Sequence, residues 1–174
     1  MFTLIRSLFG RSAAAVTMPA APAHPRKKTF PIMTGDGRSM RQLIDVGKYH
    51  WVCAVFQLNV DQGKISASPY VEEIEIELFE LKRRKLEIRD VPDALDRELA
   101  ARGLERPTAE DALRFGEKYF ETNWFYNIIF LSEAKEERIA LSRSQGEDEV
   151  WPWIMAFLSD EPMSFAGRRI VKKH

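Results

Sequence analysis

Pro69 to Asp90 reads PYVEEIEIELFELKRRKLEIRD, and the conformation of this stretch decides how the rest of the chain is arranged. At 3.6 residues per turn, Val71, Ile74, Leu78, Leu81 and Ile88 share one face, interrupted by Lys85. Glu73, Glu77, Glu80, Arg84 and Glu87 share the opposite face, and Ile76, Phe79 and Leu86 add an apolar flank. Glutamates fill the first half and Lys82–Lys85 follow. That order complements a helix macrodipole, at about 0.3–1 kcal/mol per well-placed charge. Ser68 with Pro69 supplies a start and Pro92 a stop. A strand competes, because Glu73 to Leu78 alternates residue by residue. A hairpin would then have to turn near Lys82–Lys85, which offers no Gly, Asn, Asp or Pro. Of the two, the helix is expected.

Outward from this stretch, 174 residues are one domain's worth of chain, enough for a substantial core. The formal net charge is zero, which argues against a protein built wholly around a polyanion. The charge is unevenly spread. Residues 1–35 hold five bases and no acid, leaving 21 bases against 26 acids in the remainder. One cysteine, Cys53, excludes an internal disulfide and a cysteine-rich metal site. No apolar run approaches the roughly 18 residues of a membrane span.

Residues 1–29 read as a disordered or targeting leader. Phe2, Leu4, Ile5, Leu8 and Phe9 form an apolar arc flanked by Arg6 and Arg11, and an Ala/Pro-rich stretch follows. A cytoplasmic location is expected, with an organelle matrix if the leader is a presequence and weak surface anchoring by residues 2–11 as a further option. Thr34-Gly35-Asp36-Gly37 is a turn, and Ser39 with Gln42 forms a capping box over a short helix through Met40, Leu43 and Ile44. His50–Val60 (HWVCAVFQLNV) is β-rich and apolar on both parities, so a central strand is expected. Pro92–Ala101 is a short helix closed by Gly103. Thr108, with Asp111 three residues on, opens another helix, whose core face is Ala112, Phe115 and Tyr119. Trp124–Leu131 and Glu137–Ser142 are two more strands, and Val150–Leu158 is an apolar helix with Pro152 in its first turn. The expected architecture is α+β: one compact domain over residues 30–167, a small sheet of about three strands with several helices, and a basic tail at 168–174.

Three groupings could carry chemistry. Glu80 and Lys82, with Asp61 upstream, match the acid-x-Lys pattern of a metal-dependent nuclease, provided that a strand points both side chains the same way to hold a metal and polarise water. In a helix they sit about 200° apart and the arrangement fails. Arg168, Arg169, Lys172 and Lys173 offer weak phosphate contact for a nucleic-acid module. Trp151, Trp153, Met155, Phe157 and Leu158 crowd one short segment; core packing is the ordinary reading, but the segment has more apolar surface than one face of a core needs, which suits a partner interface. His50 and Cys53, three apart on a strand, would face opposite sides and cannot cooperate. The Gly35/Gly37 turn lacks the spacing of a phosphate loop. No cofactor and no metal are implied. The reading is a non-catalytic protein–protein interaction protein, an accessory subunit or regulator, whose partner is another protein or a second copy. A carboxylate- or metal-dependent hydrolase is the alternative, and a nucleic-acid-binding module the third.

Overall fold

The computed structural model describes residues 29–47, 49–81, 87–119, 127–144, 147–152 and 163–173, without the side chains of 143–148, 151 and 152. Residues 72–79 settle the opening ambiguity in favour of the strand. Glu72–Phe79 is β3, in which Ile74, Ile76 and Leu78 are buried and Glu73, Glu75 and Glu77 are half-buried. Pairing on both sides selects this period. β1 (Thr29–Thr34) runs antiparallel along one edge, matching Ile32 to Ile74, and β7 (Met163–Lys173) runs antiparallel along the other, matching Ala166 to Leu78. A helix would have placed Ile74 and Ile76 on different flanks, whereas the pleat buries both on one side. The glutamates expected to serve a macrodipole instead meet bases of other elements: Arg169, on the paired strand β7, lies 3.6 Å from Glu75, and Arg102, from the helix covering this face, lies 2.9 Å from Glu77.

β3 belongs to a seven-stranded mixed sheet of order β1-β3-β7-β4-β5-β6-β2. The remaining strands are β2 (Trp51–Val52), β4 (Asn127–Phe130), β5 (Ile139–Ser144) and β6 (Glu147–Pro152). The expected sheet of about three strands is therefore too small. Three misread segments account for much of the shortfall: 72–79, 150–152 and 168–173 are all strand. The supposed basic tail is the second half of β7, an interior strand, through Lys173. The first three residues of the helix expected over Val150–Leu158 are the end of β6, where Pro152 lies opposite Ile139 of β5, and 153–158 lie outside the described residues. Two pairs are parallel, β2 with β6 and β4 with β7, and the other four are antiparallel.

Helices cover both faces, and period-2 alternation in the central strands divides the interior into two cores. Ile128 and Phe130 of β4 point to one side, with α1 (Met40–Val46), α2 (Ala54–Asp61) and α4 (Ala109–Tyr119). Ile129 points to the other, with α3 (Val91–Arg102). Local signals set the helix ends as expected. Ser39 and Gln42 form the capping box of α1, and Gly103, at φ +63°, closes α3. Thr108 and Asp111 exchange backbone-to-side-chain hydrogen bonds at the start of α4. In contrast, His50–Val60 is a two-residue strand followed by α2, not a central strand. The edge strand β1 is guarded. Pro31 has no N–H to donate, and its carbonyl accepts from Lys118 Nζ at 3.0 Å and the Tyr119 hydroxyl at 2.7 Å.

Candidate functional site

α2 buries an amide while presenting aliphatic side chains to water. Its sequence, AVFQLNVD, is without charge up to Asp61. Phe56 enters the core at 3% exposure and Val60 packs against it. One turn round the helix the order inverts: Asn59 is 9% exposed, whereas Val55 is 66% and Leu58 53% exposed. Val55 and Leu58 are three apart and so share one outward face. Trp51, at 38%, precedes them on β2, and Val46, at 46%, ends the neighbouring α1. Scattered exposed apolar residues are ordinary on a globule, but Trp51, Val55 and Leu58 follow one another along the β2–α2 edge and form a surface feature.

The sheet places that feature beside the segment that the sequence singled out. β2 is the last strand of the sheet and pairs with β6 through Trp51–Glu149 and Val52–Val150. The backbone of Trp151 follows directly, opposite Ala140. Trp151 thus stands on the strand adjoining β2 and α2, while Trp153, Met155, Phe157 and Leu158 lie outside the described residues. Cys53 is buried between β2 and α2, and its N–H donates to the Val150 carbonyl at 3.0 Å, tying the helix entrance to β6.

The acid-x-Lys grouping is not drawn together by what is described. Because 72–79 is a strand, the helical objection to Glu80 lapses, but Glu80 follows the end of β3 and Lys82 lies outside the described residues. Asp61 ends α2 on the other side of the loop that leads into Glu72, 3.8 Å from Arg41 of α1. An eight-residue strand, about 26 Å at 3.3 Å per residue, separates Glu72 from Glu80. Among the described residues no three His, Cys, Asp or Glu side chains converge as metal ligands.

The basic residues are also engaged. Arg168 is 9% exposed and donates to Glu72 at 2.6 Å, with Asp111 at 3.5 Å. Lys173 lies 3.3 Å from Glu72, and Arg169 lies between Glu75 and Glu77. Lys172 is exposed opposite Glu73. A phosphate backbone would have to compete with these carboxylates.

Sequence reasoning missed the most charged interior feature, at the N-terminus of α4. Glu110, 2% exposed, accepts from the N–H groups of Gly35 at 2.9 Å and Ser68 at 2.7 Å. Arg114 pairs with Glu110 and forks onto Asp36, whose carboxyl is held far below its ordinary range chiefly by that guanidinium. Next to it Asp111 is fully buried. Loss of hydration pushes its carboxyl up to about 6, against the opposing pull of Arg168. These groups pin the β1–α1 turn and the α2–β3 loop to α4. Glu110 has both oxygens occupied by donors of the scaffold, which suits a structural role. Asp111 was legible as a cap; nothing local in the sequence marks Glu110, Arg114 and Asp36 as partners.

No protein-family model matches this sequence, and no curated protein or solved structure matches it either.

Proposed function

We propose that this chain is a non-catalytic interaction protein, an accessory subunit that assembles through the β2–α2 edge of its sheet, and that the surface covering this edge is a second copy of the chain. The observation that carries the reading is the inversion of α2, which buries Asn59 and presents Val55 and Leu58 to water. The choice of occupant follows from charge. Around a two-fold axis the same patch meets itself, residue i against residue j and j against i, so a face carrying one sign of charge would oppose its own charge. Ala54–Val60 has no charge to set against its copy, and equally none with which to steer or register a charged foreign partner.

Sedimentation of the intact chain across a concentration series tests this. Wild type is expected to associate, and Val55→Glu with Leu58→Glu to remain monomeric. Compared at the dilute end of the series, where wild type is monomeric, the melting temperature should hold within a few degrees, since both side chains are exposed in the monomer and such surface changes cost within about 0.5 kcal/mol. A wild type that stays monomeric throughout, or a double variant that associates as before, refutes it.

A further inference from the structure

On the opposite face of the sheet, a cleft of about 590 Å³ lies between α3 and the β4–β5 connection. Leu99 and Leu104, only 3% and 7% exposed, show their edges at its floor, with Arg106, Arg138, Glu105 and Glu133 around them. The size falls within the range of small-ligand sites. Its two arginines are in different states. Arg106 is satisfied: it holds Asp96 by two hydrogen bonds of 2.7 and 2.8 Å and donates to the Leu131 carbonyl. Arg138 is anchored but not neutralised. Nε donates to the Ser132 carbonyl at 2.9 Å and Nη2 to that of Glu133 at 3.2 Å, and among the described residues no carboxylate lies within ion-pair distance. Burial first, and Arg106 after it, hold its guanidinium below the ordinary arginine value, against the more distant pull of Asp96 and Glu136. A fixed, half-buried cation with neutral acceptors gains from an added carboxylate, and its planar fork matches one.

Arg138 alone would suggest any anion, but the rim narrows the class. Glu105 and Glu133 are exposed and have no cationic partner among the described residues. They would repel a polyanion and attract an ammonium. The apolar wall has a cause in the sequence: Gly167 of β7 lies beneath it, and a Cβ there would come within 2.6 Å of Leu99 and 2.8 Å of Leu104.

We infer that this cleft binds the C-terminal end of a peptide, its carboxylate on Arg138, an apolar last side chain over Leu99 and Leu104, and a basic group toward Glu105 and Glu133. The inference is independent of assembly through α2, which packs on the other face. The probe is the dipeptide Lys-Leu, titrated into the ¹⁵N-labelled intact chain, beside Lys-Leu amide, which keeps every group except the carboxylate. Saturable shifts are expected around Leu99, Glu105 and Arg138 at millimolar dipeptide, with the amide about tenfold or more weaker. Arg138→Gln should weaken Lys-Leu by a similar factor and leave the amide unchanged. Acetyl-leucine should bind less well than Lys-Leu to wild type and equally to Glu133→Gln with Glu105→Gln. Equal shifts from acid and amide overturn the proposal, as does the absence of saturable shifts. Because that comparison uses wild type alone, it stands even if Arg138→Gln loosens the β4–β5 connection.

Discussion

Asp111 gives stability a pH dependence of unusual sign. Its carboxyl is fully buried, with one oxygen accepting from the Thr108 N–H at 2.8 Å and the other without a hydrogen-bond partner among the described residues. Arg168 at 3.5 Å is shared with Glu72, and Glu110 adds a like charge alongside. Desolvation outweighs the attraction of Arg168 and raises the folded-state value from 3.8 to about 6. The native state therefore holds the proton more tightly than the unfolded chain does. Stability is full below about pH 4, falls as pH rises toward 6 and is flat above. At 1.36 kcal/mol per pH unit the loss is about 3 kcal/mol. Asp36 and Asp96 are shifted the other way, so their contributions are lost only as pH falls below the ordinary carboxylate range, outside this window. Urea unfolding of wild type and Asp111→Asn at half-unit steps from pH 4 to 7 measures the effect. Wild type should lose about 2–2.5 kcal/mol across the series, because the unfolded carboxyl is already partly ionised at pH 4. The variant keeps a cap oxygen without an ionisable group and should stay nearly level, matching or exceeding wild type at pH 7. A wild-type stability that rises between pH 4 and 6, or an equal slope in both proteins, refutes the reasoning.

Gly116, inside α4, faces Tyr49, and a Cβ there would fall on the Tyr49 hydroxyl, which donates to the Leu113 carbonyl at 3.2 Å. Gly116→Ala should therefore destabilise by about 1–2 kcal/mol in thermal unfolding, despite a propensity gain of about 1 kcal/mol in an open helix; stabilisation would show that the Tyr49 seat is dispensable. Thr108→Ala removes the hydroxyl that accepts from the Asp111 N–H at 3.1 Å, and should cost about 1 kcal/mol by denaturant titration. Ile76→Ala in β3, at 0% exposure between Phe30 and Arg168 of the flanking strands, should cost about 2–5 kcal/mol; a loss below 1 kcal/mol would mean that this strand is not the centre of its core.

What the sequence showed plainly was local. Ser39 with Gln42 and Thr108 with Asp111 act within one helical turn, and Pro92 and Gly103 each act at one end of α3, so the residues that decide each helix end are all in view at once. β3 could not be read in that way. Its glutamates satisfy a helix dipole and a cross-strand ladder equally well on paper, and the choice is made by β1, some 40 residues earlier, and β7, some 90 later. The 168–173 segment hid in the same manner: Arg168, Arg169 and Lys173 look like a solvated tail until β3 places Glu72, Glu75 and Glu77 beside them.

The misreading of His50–Val60 bears directly on function. Apolar residues on both parities fit a strand buried on two faces, and that fit made a central strand the natural expectation. The same composition wound as a helix is apolar most of the way round, and α2 lies at the rim of the sheet, where the core reaches one side of it. Phe56 takes the buried side, and Val55 and Leu58 are the remainder that no part of the described chain covers. A helix selected only for the stability of an isolated monomer would replace them with Glu, Lys or Gln, which have equal or better helix propensity and no cost in water. That they remain, uncharged and outward beside β6 and Trp151, is why we propose the β2–α2 edge, and not the engaged arginines of β7 or the acids at the two ends of β3, as the surface that meets a second copy.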